Sequence, residues 1–317
     1  FDGAGAWMRD LNTLQILVNH ETTGDATISE VDIHVPNLNV AILRMRAQGD
    51  TSGITFVESA RQAFGCYSND LGESFKTTTR PGDIEFNKFC SGQTYAPNTF
   101  GSNRGFVDQM YITGEEDDGG GLFVLDNINR ELYLLSGVTG SNQNGGNGGM
   151  PFDPWENAAL VDTGKEAHVA LMLSPDGGSK SMQFYIGRKG LNKLCRLPCM
   201  GVNCLEPRAP NFLERNGLAC GSWYYLTGNF PGNVGGTELG DFSKDDNNTL
   251  SSGKLEDVDT SPSDPTRVVL ADETSGTFVF DFFDLVFFNG NFNSAASSFT
   301  VTMRADHSND CVTTLSD

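Results

Sequence analysis

Apolar residues recur along this chain in short runs, separated by Gly, Asn, Asp and Pro, and spacings of three and four are almost absent. Read by these runs, strands are expected at residues 14–18, 31–35, 40–46, 106–113, 121–126, 131–136, 168–173, 182–187, 223–227, 267–271, 277–282, 285–288 and 299–303. Strands of this length with turn chemistry between them predict an all-β architecture.

A short frame repeats: Gly, an aromatic two positions on, Asp three positions later, a polar turn, then a second apolar run. It occurs at Gly5-Ala6-Trp7-Met8-Arg9-Asp10, at Gly121-Leu122-Phe123-Val124-Leu125-Asp126 and at Gly276-Thr277-Phe278-Val279-Phe280-Asp281. The aromatic is expected between sheets, and the Asp is expected to accept backbone N–H groups in the turn. A hairpin recurring in this way predicts a β-propeller with long irregular insertions between its blades. Residues 137–154 are rich in Gly and Asn, 191–220 hold four cysteines, and 228–265 are polar and acidic. The simplest organisation is a single domain over 1–317, decorated by a disulfide-stapled insertion at 191–220 and an acidic loop insertion at 228–265.

Charge narrows the partners. With 21 Lys and Arg against 41 Asp and Glu, the net charge is −20, which disfavours nucleic acid and anionic membrane surfaces. No apolar stretch is long enough to span a bilayer. Small molecules, or assembly and matrix partners, are the expected company.

Of seven cysteines, Cys195, Cys199, Cys204 and Cys220 cluster without nearby His, which favours two disulfides over a zinc site. Cys66 and Cys311 are candidates for a third, leaving Cys90 over. Asn247-Asn248-Thr249 is a glycosylation sequon. The chain opens on Phe1 and not on Met, as expected either after removal of a targeting segment or for the ordered part of a longer chain. These features predict a secreted or extracellular protein, periplasmic in a bacterium.

Candidate chemistry lies in carboxylates and one thiol. Glu115-Glu116-Asp117-Asp118 and Asp272-Glu273 both close predicted strands before glycines, and grouped hard oxygen donors suit calcium. Asn19-His20-Glu21 closes an early strand. Cys90, in Phe89-Cys90-Ser91-Gly92, is either a soft ligand for a transition metal or the disulfide partner of Cys66.

The order of these motifs resembles the PhoX-type alkaline phosphatases, secreted six-bladed propellers. The resemblance rests on Asn19-His20-Glu21, Cys90-Ser91-Gly92, Glu115-Glu116, Trp155-Glu156-Asn157-Ala158-Ala159, Asp176-Gly177 and Glu256-Asp257. It implies a secreted metal-dependent phosphomonoesterase, with Glu21, Cys90 and Glu156 catalytic. It also implies that iron, with calcium nearby, is held by Glu21, Cys90, Glu115 or Glu116, and Glu156. Pro154-Trp155 stand where that family has His and Arg; Arg104 and Arg188 are the cations available to replace the missing clamp. The competing expectation is a non-catalytic calcium-binding extracellular propeller, acting as a surface, matrix or assembly protein.

Overall fold

The computed structural model describes residues 3–78, 86–137, 150–177, 180–196 and 208–306. Strand is the dominant regular structure among these residues, so the all-β class holds. A four-stranded antiparallel sheet comes first, ordered Ala4–Met8, Thr13–Asn19, Ile28–His34, Val57–Gln62. A six-stranded sheet follows, ordered Lys76–Thr77, Cys66–Ser68, Glu131–Leu134, Leu122–Asp126, Met110–Glu115, Phe89–Tyr95.

The third sheet has nine strands and is antiparallel throughout. Its first half runs Trp155–Val161, His168–Pro175, Gln183–Arg188, Gly221–Thr227 and Thr237–Ser243. Its second half runs Ser298–Asp306, Gly276–Asp284, Arg267–Asp272 and Leu255–Thr260. It bends until its two edges nearly meet: Thr260 Oγ1 donates to the Leu160 carbonyl at 2.5 Å, and the Asp162 N–H to that of Pro265 at 2.9 Å.

Side-chain alternation divides these sheets among three cores. Within His168–Pro175, Val169, Leu171 and Leu173 face one cluster while Ala170 and Met172 face another. Every residue of that strand and of Trp155–Val161 is therefore buried. The curled nine-stranded sheet encloses a Phe-rich cluster in which Phe184, Phe242, Phe282 and Phe299 lie with ring centroids 5.0–6.4 Å apart. A second cluster, with Ile112, Leu122, Trp155 and Leu171, joins this sheet to the six-stranded one. A third, with Leu17, Phe89, Tyr111 and Phe123, joins the six-stranded sheet to the four-stranded one.

Several expectations need correction. Residues 40–46 lie in an α-helix, Val35–Gln48, not a strand. Pro36 opens it, where a missing N–H costs nothing, and Gly49 closes it at φ 67°, a conformation glycine takes without penalty. Only Ala41 of this helix is buried, so its apolar residues leave no clear stripe to read.

The repeat holds in two of its three copies. Asp10 accepts the N–H groups of Asn12 and Thr13, and Asp126 those of Ile128 and Asn129. In the third copy Asp281 accepts no turn N–H among the described residues; Asp272, ahead of the copy, caps the preceding turn by accepting from Thr274 and Ser275. Asp281 pairs with Arg267 at 2.6 Å instead. Residues 285–288 shrink to the two-residue strand Phe287–Phe288.

The acidic stretch 228–265 is not simply a loop, because it supplies the strands Thr237–Ser243 and Leu255–Thr260. In the first of these strands the charge points outward: Asp241 is exposed between buried Gly240 and Phe242. In the cysteine-rich segment, Cys195 and Cys220 form a disulfide, whereas Cys199 and Cys204 lie outside the described residues. Cys66 is a half-buried thiol, and Cys311 also lies outside the described residues. Among the described residues, no helix is long and apolar enough to cross a membrane.

Candidate metal centre

Three β-bulges mark one region of the fold. The register of Phe89–Tyr95 against Met110–Glu115 slips between Phe89 and Gly92. That of Trp155–Val161 against His168–Pro175 slips between Trp155 and Asn157. That of Leu255–Thr260 against Arg267–Asp272 slips between Leu255 and Val258. Each slip leaves a residue without a ladder partner and re-aims the neighbouring side chains. The residues inside the slips are Cys90-Ser91, Glu156 and Glu256-Asp257.

These segments converge. Cys90 Sγ and one carboxylate oxygen each from Glu116 and Glu156 all lie within 4.8 Å of one another. The Cys90 thiol donates to Glu156 Oε1 at 3.1 Å. Ser91 Oγ lies 3.3 Å from that same oxygen and 2.9 Å from Asp257 Oδ1, which also accepts from Asn157 Nδ2 at 2.8 Å. Beside Ser91 and Asp257 opens a cleft of about 410 Å³, lined in part by Gly3, Gln93 and Asp259.

The backbone of Cys90 is fixed from the four-stranded sheet. The Gly3 N–H donates to the Cys90 carbonyl at 3.2 Å, and the Asn19 side-chain amide donates to the same oxygen. Asn19 is fully buried; its amide also reaches Thr113 Oγ1 at 2.8 Å and accepts from the Tyr111 hydroxyl at 2.8 Å. A Cβ on Gly3 would stand 2.2 Å from the Gly92 nitrogen, so the two strands approach this closely only with glycine there.

Electrostatics set the cluster apart. Burial pushes the Glu116 carboxyl up to about 7, helped by its hydrogen bond to Asp176 and by the charges of Asp176 and Glu21; Lys88 opposes. Burial likewise pushes Glu156 up to about 7, with Glu256, Glu116 and Asp176 adding repulsion and the Cys90 hydrogen bond opposing. Five carboxylates thus act on one another around a thiol; Lys88 acts against Glu116, and Lys254 pairs with Glu256 at 2.7 Å. Ionising the cluster is costly unless a cation enters it.

The other expected ligands have different roles. Glu115 accepts the N–H groups of Asn87 and Gly121, each at 2.9 Å, and so shapes its own turn. Asp117 lies 3.7 Å from Lys88, and the exposed Asp118 3.8 Å from Lys180. Asp272 is spent on its turn and Glu273 on Lys254 at 3.3 Å. Glu21 is exposed and acts on Glu116 through its charge. His20 Nε2 bonds Ser29 Oγ at 2.7 Å. Asn247 is exposed in a turn. Neither candidate clamp reaches the cluster: Arg104 pairs with Asp162 at 2.5 Å, and Arg188 lines a separate cavity.

Asp176 and Asp257 are additions to the site residues chosen from the sequence. Both follow or interrupt strands inside the resembling motifs, which was the signal available for them. The donor set, a buried thiol with one buried and one half-buried carboxylate at one locus, fits a metal ion: the thiolate suits a transition metal and the carboxylates a hard, highly charged one. No family model matches this chain, and no curated protein matches it.

Proposed function

We propose that the chain is a metal-dependent phosphomonoesterase whose metal centre is built on Cys90, Glu116 and Glu156. The observation that carries this reading is the convergence of their three donor atoms within 4.8 Å, where burial and neighbouring carboxylates push both carboxyls up to about 7. Iron is the proposed occupant beside the thiolate. Calcium is the proposed occupant of the surrounding carboxylates, among them Asp176, Glu21 and Glu256. Such ions would supply Lewis-acid polarisation of a phosphate oxygen and neutralise its charge.

The chain's own residues do the rest. Ser91 couples Glu156 to Asp257, and Asn157 fixes Asp257 from the adjoining strand. Asn19 and Gly3 hold the Cys90 carbonyl, so the thiol cannot drift from Glu156. The cleft beside Ser91 is the proposed entry for a small phosphate ester.

A propeller-like arrangement is part of the proposal. Its support is that Gly3-Ala4, Ser91-Gly92-Gln93, Asn157 and Asp257-Val258-Asp259, from four strand segments, border one cleft. An extracytoplasmic setting completes it, in keeping with the Cys195–Cys220 disulfide.

One observation favours the calcium-binding, non-catalytic reading. Trp155, next to Glu156, is fully buried against Trp223 at a centroid distance of 5.9 Å, so the position before the carboxylate serves the core and offers no phosphate clamp. Hydrolysis of p-nitrophenyl phosphate by the purified chain decides between them. Turnover that chelation abolishes, and that Glu156→Gln also abolishes, supports the phosphatase. Folded, calcium-loaded protein without turnover supports the alternative.

A further inference from the structure

A second cavity, of about 290 Å³, is walled by His168, Arg188, the Cys195–Cys220 disulfide, Tyr224 and Lys244. It lies at the other end of the sheet from the carboxylate cluster. Strand His168–Pro175 connects the two, with His168 at the cavity and Asp176 directly after the strand beside Glu116. Eight residues of extended chain separate them by roughly 26 Å.

The charge of this cavity is opposite to that of the chain. Among its described lining residues there is no Asp or Glu. The Arg188 guanidinium makes no ion pair or side-chain hydrogen bond among the described residues, and its atoms would lie 3.6 Å from a Cβ on Gly290. The Lys244 ammonium sits 3.8 Å from the centre of the Tyr224 ring and donates to the Trp223 carbonyl, neither of which neutralises it. His168 Nε2 bonds the Gly290 carbonyl at 3.0 Å, so this nitrogen carries the proton and ties the 290 turn to the cavity wall. Burial holds the imidazole below its ordinary range, and Arg188, Lys165 and Lys189 push the same way, so these cations all act on this locus. A chain of net charge −20 has many carboxylates with which to pair its cations, yet this cavity leaves two cationic groups without one.

We propose that this cavity binds a tetrahedral oxyanion, free phosphate or the phosphate group of a small ester, through Arg188 and Lys244, with any ester group lying against Tyr224 and Phe292. Arg188 offers the planar fork suited to two oxygens, and Lys244 a point charge. The site is independent of the metal centre.

The test follows the His168 imidazole resonance of the full chain by NMR during titration with inorganic phosphate, assigned with His168→Gln. The expected result is a saturable shift. Arg188→Gln should raise the dissociation constant about tenfold or more, equivalent to about 1.4 kcal/mol. Lys244→Met should also weaken binding, and it serves if Arg188→Gln fails to fold. Glu156→Gln, in the distant cluster, should leave this titration unchanged. A parallel titration with phenylphosphonate separates the sources: tighter binding than phosphate marks an ester site, weaker binding a free-phosphate site. A His168 resonance that does not respond to either ligand, or responds equally with Arg188 and Lys244 replaced, overturns the proposal.

Discussion

The thiol of Cys90 donates to Glu156 Oε1 across 3.1 Å, although 66 positions separate them and they belong to different sheets. Both sit where a strand slips its register, so each side chain leaves its ladder for the same point. If that point holds a metal, Cys90→Ala should strip the transition metal and abolish phosphatase activity. The fold should survive, with a stability change within about 2 kcal/mol, because the thiol packs little apolar surface. Metal analysis and thermal melting of the variant check this. Loss of folding in the variant would instead mark Cys90 as structural.

The raised carboxyls give a pH signature to the metal-free chain. Glu116 and Glu156 both ionise near 7 when folded and at about 4.3 when unfolded. Between these values the folded chain holds protons that the unfolded chain has released, so stability falls as pH rises from about 4.5 to 7. Glu156 alone accounts for about 3 kcal/mol of that loss; Glu116, more open to solvent, accounts for less. Calorimetry in chelator should show a lower Tm at pH 8 than at pH 5.5, a slope that Glu156→Gln flattens. Added metal should recover Tm mainly at the higher pH, where protons no longer compete. A metal-free Tm that rises over this window would contradict the assignment.

Asn19 is predicted to be a positioning residue. Asn19→Leu would leave the Cys90 carbonyl, Thr113 and the Tyr111 hydroxyl short of a buried partner, at a cost of about 3 kcal/mol. Asn19→Asp would keep the acceptor for Tyr111 but lose the donor to Cys90. Urea unfolding measures the first effect. Metal affinity in the still-folded Asn19→Asp variant measures the second, which should fall while Glu156 is untouched.

The Cys195–Cys220 bridge closes a loop with a sequence separation of 25. In the chain-entropy treatment, its removal costs about 3.5 kcal/mol. A Cys195→Ala/Cys220→Ala double variant should therefore melt several degrees lower while retaining the metal, since neither residue belongs to the cluster. Loss of metal in that variant would mean that the two ends of the nine-stranded sheet are coupled.

The class of the fold was legible from the chain, and the reason is visible in strands such as Thr13–Asn19, which alternates buried and half-buried residues. The strands that carry the site were not. Phe89–Tyr95 and Trp155–Val161 are covered on both faces, so polar Cys90, Ser91, Glu156 and Asn157 interrupt any apolar run without following a period. The helix Val35–Gln48 leaves no helical signature in the sequence, because its apolar residues are largely exposed and no burial stripe disciplines them. The site residues were reached by motif order: Cys90, Glu116 and Glu156 do come together. Asp272 and Glu273 carry the pattern of acids before glycine that suggests calcium, whereas in the fold Asp272 uses the same chemistry to cap a turn. What joins Cys90 to Glu156 is a pair of bulges, and a one-residue slip leaves no mark in composition.

The most direct measurement is the metal content of chain purified without chelator, by inductively coupled plasma mass spectrometry, for the wild type and Glu156→Gln. Iron at or near one equivalent or more, with calcium, and loss of the iron from the variant is the predicted result. Wild-type protein that is well folded yet carries no transition metal would contradict the metal centre at Cys90, Glu116 and Glu156.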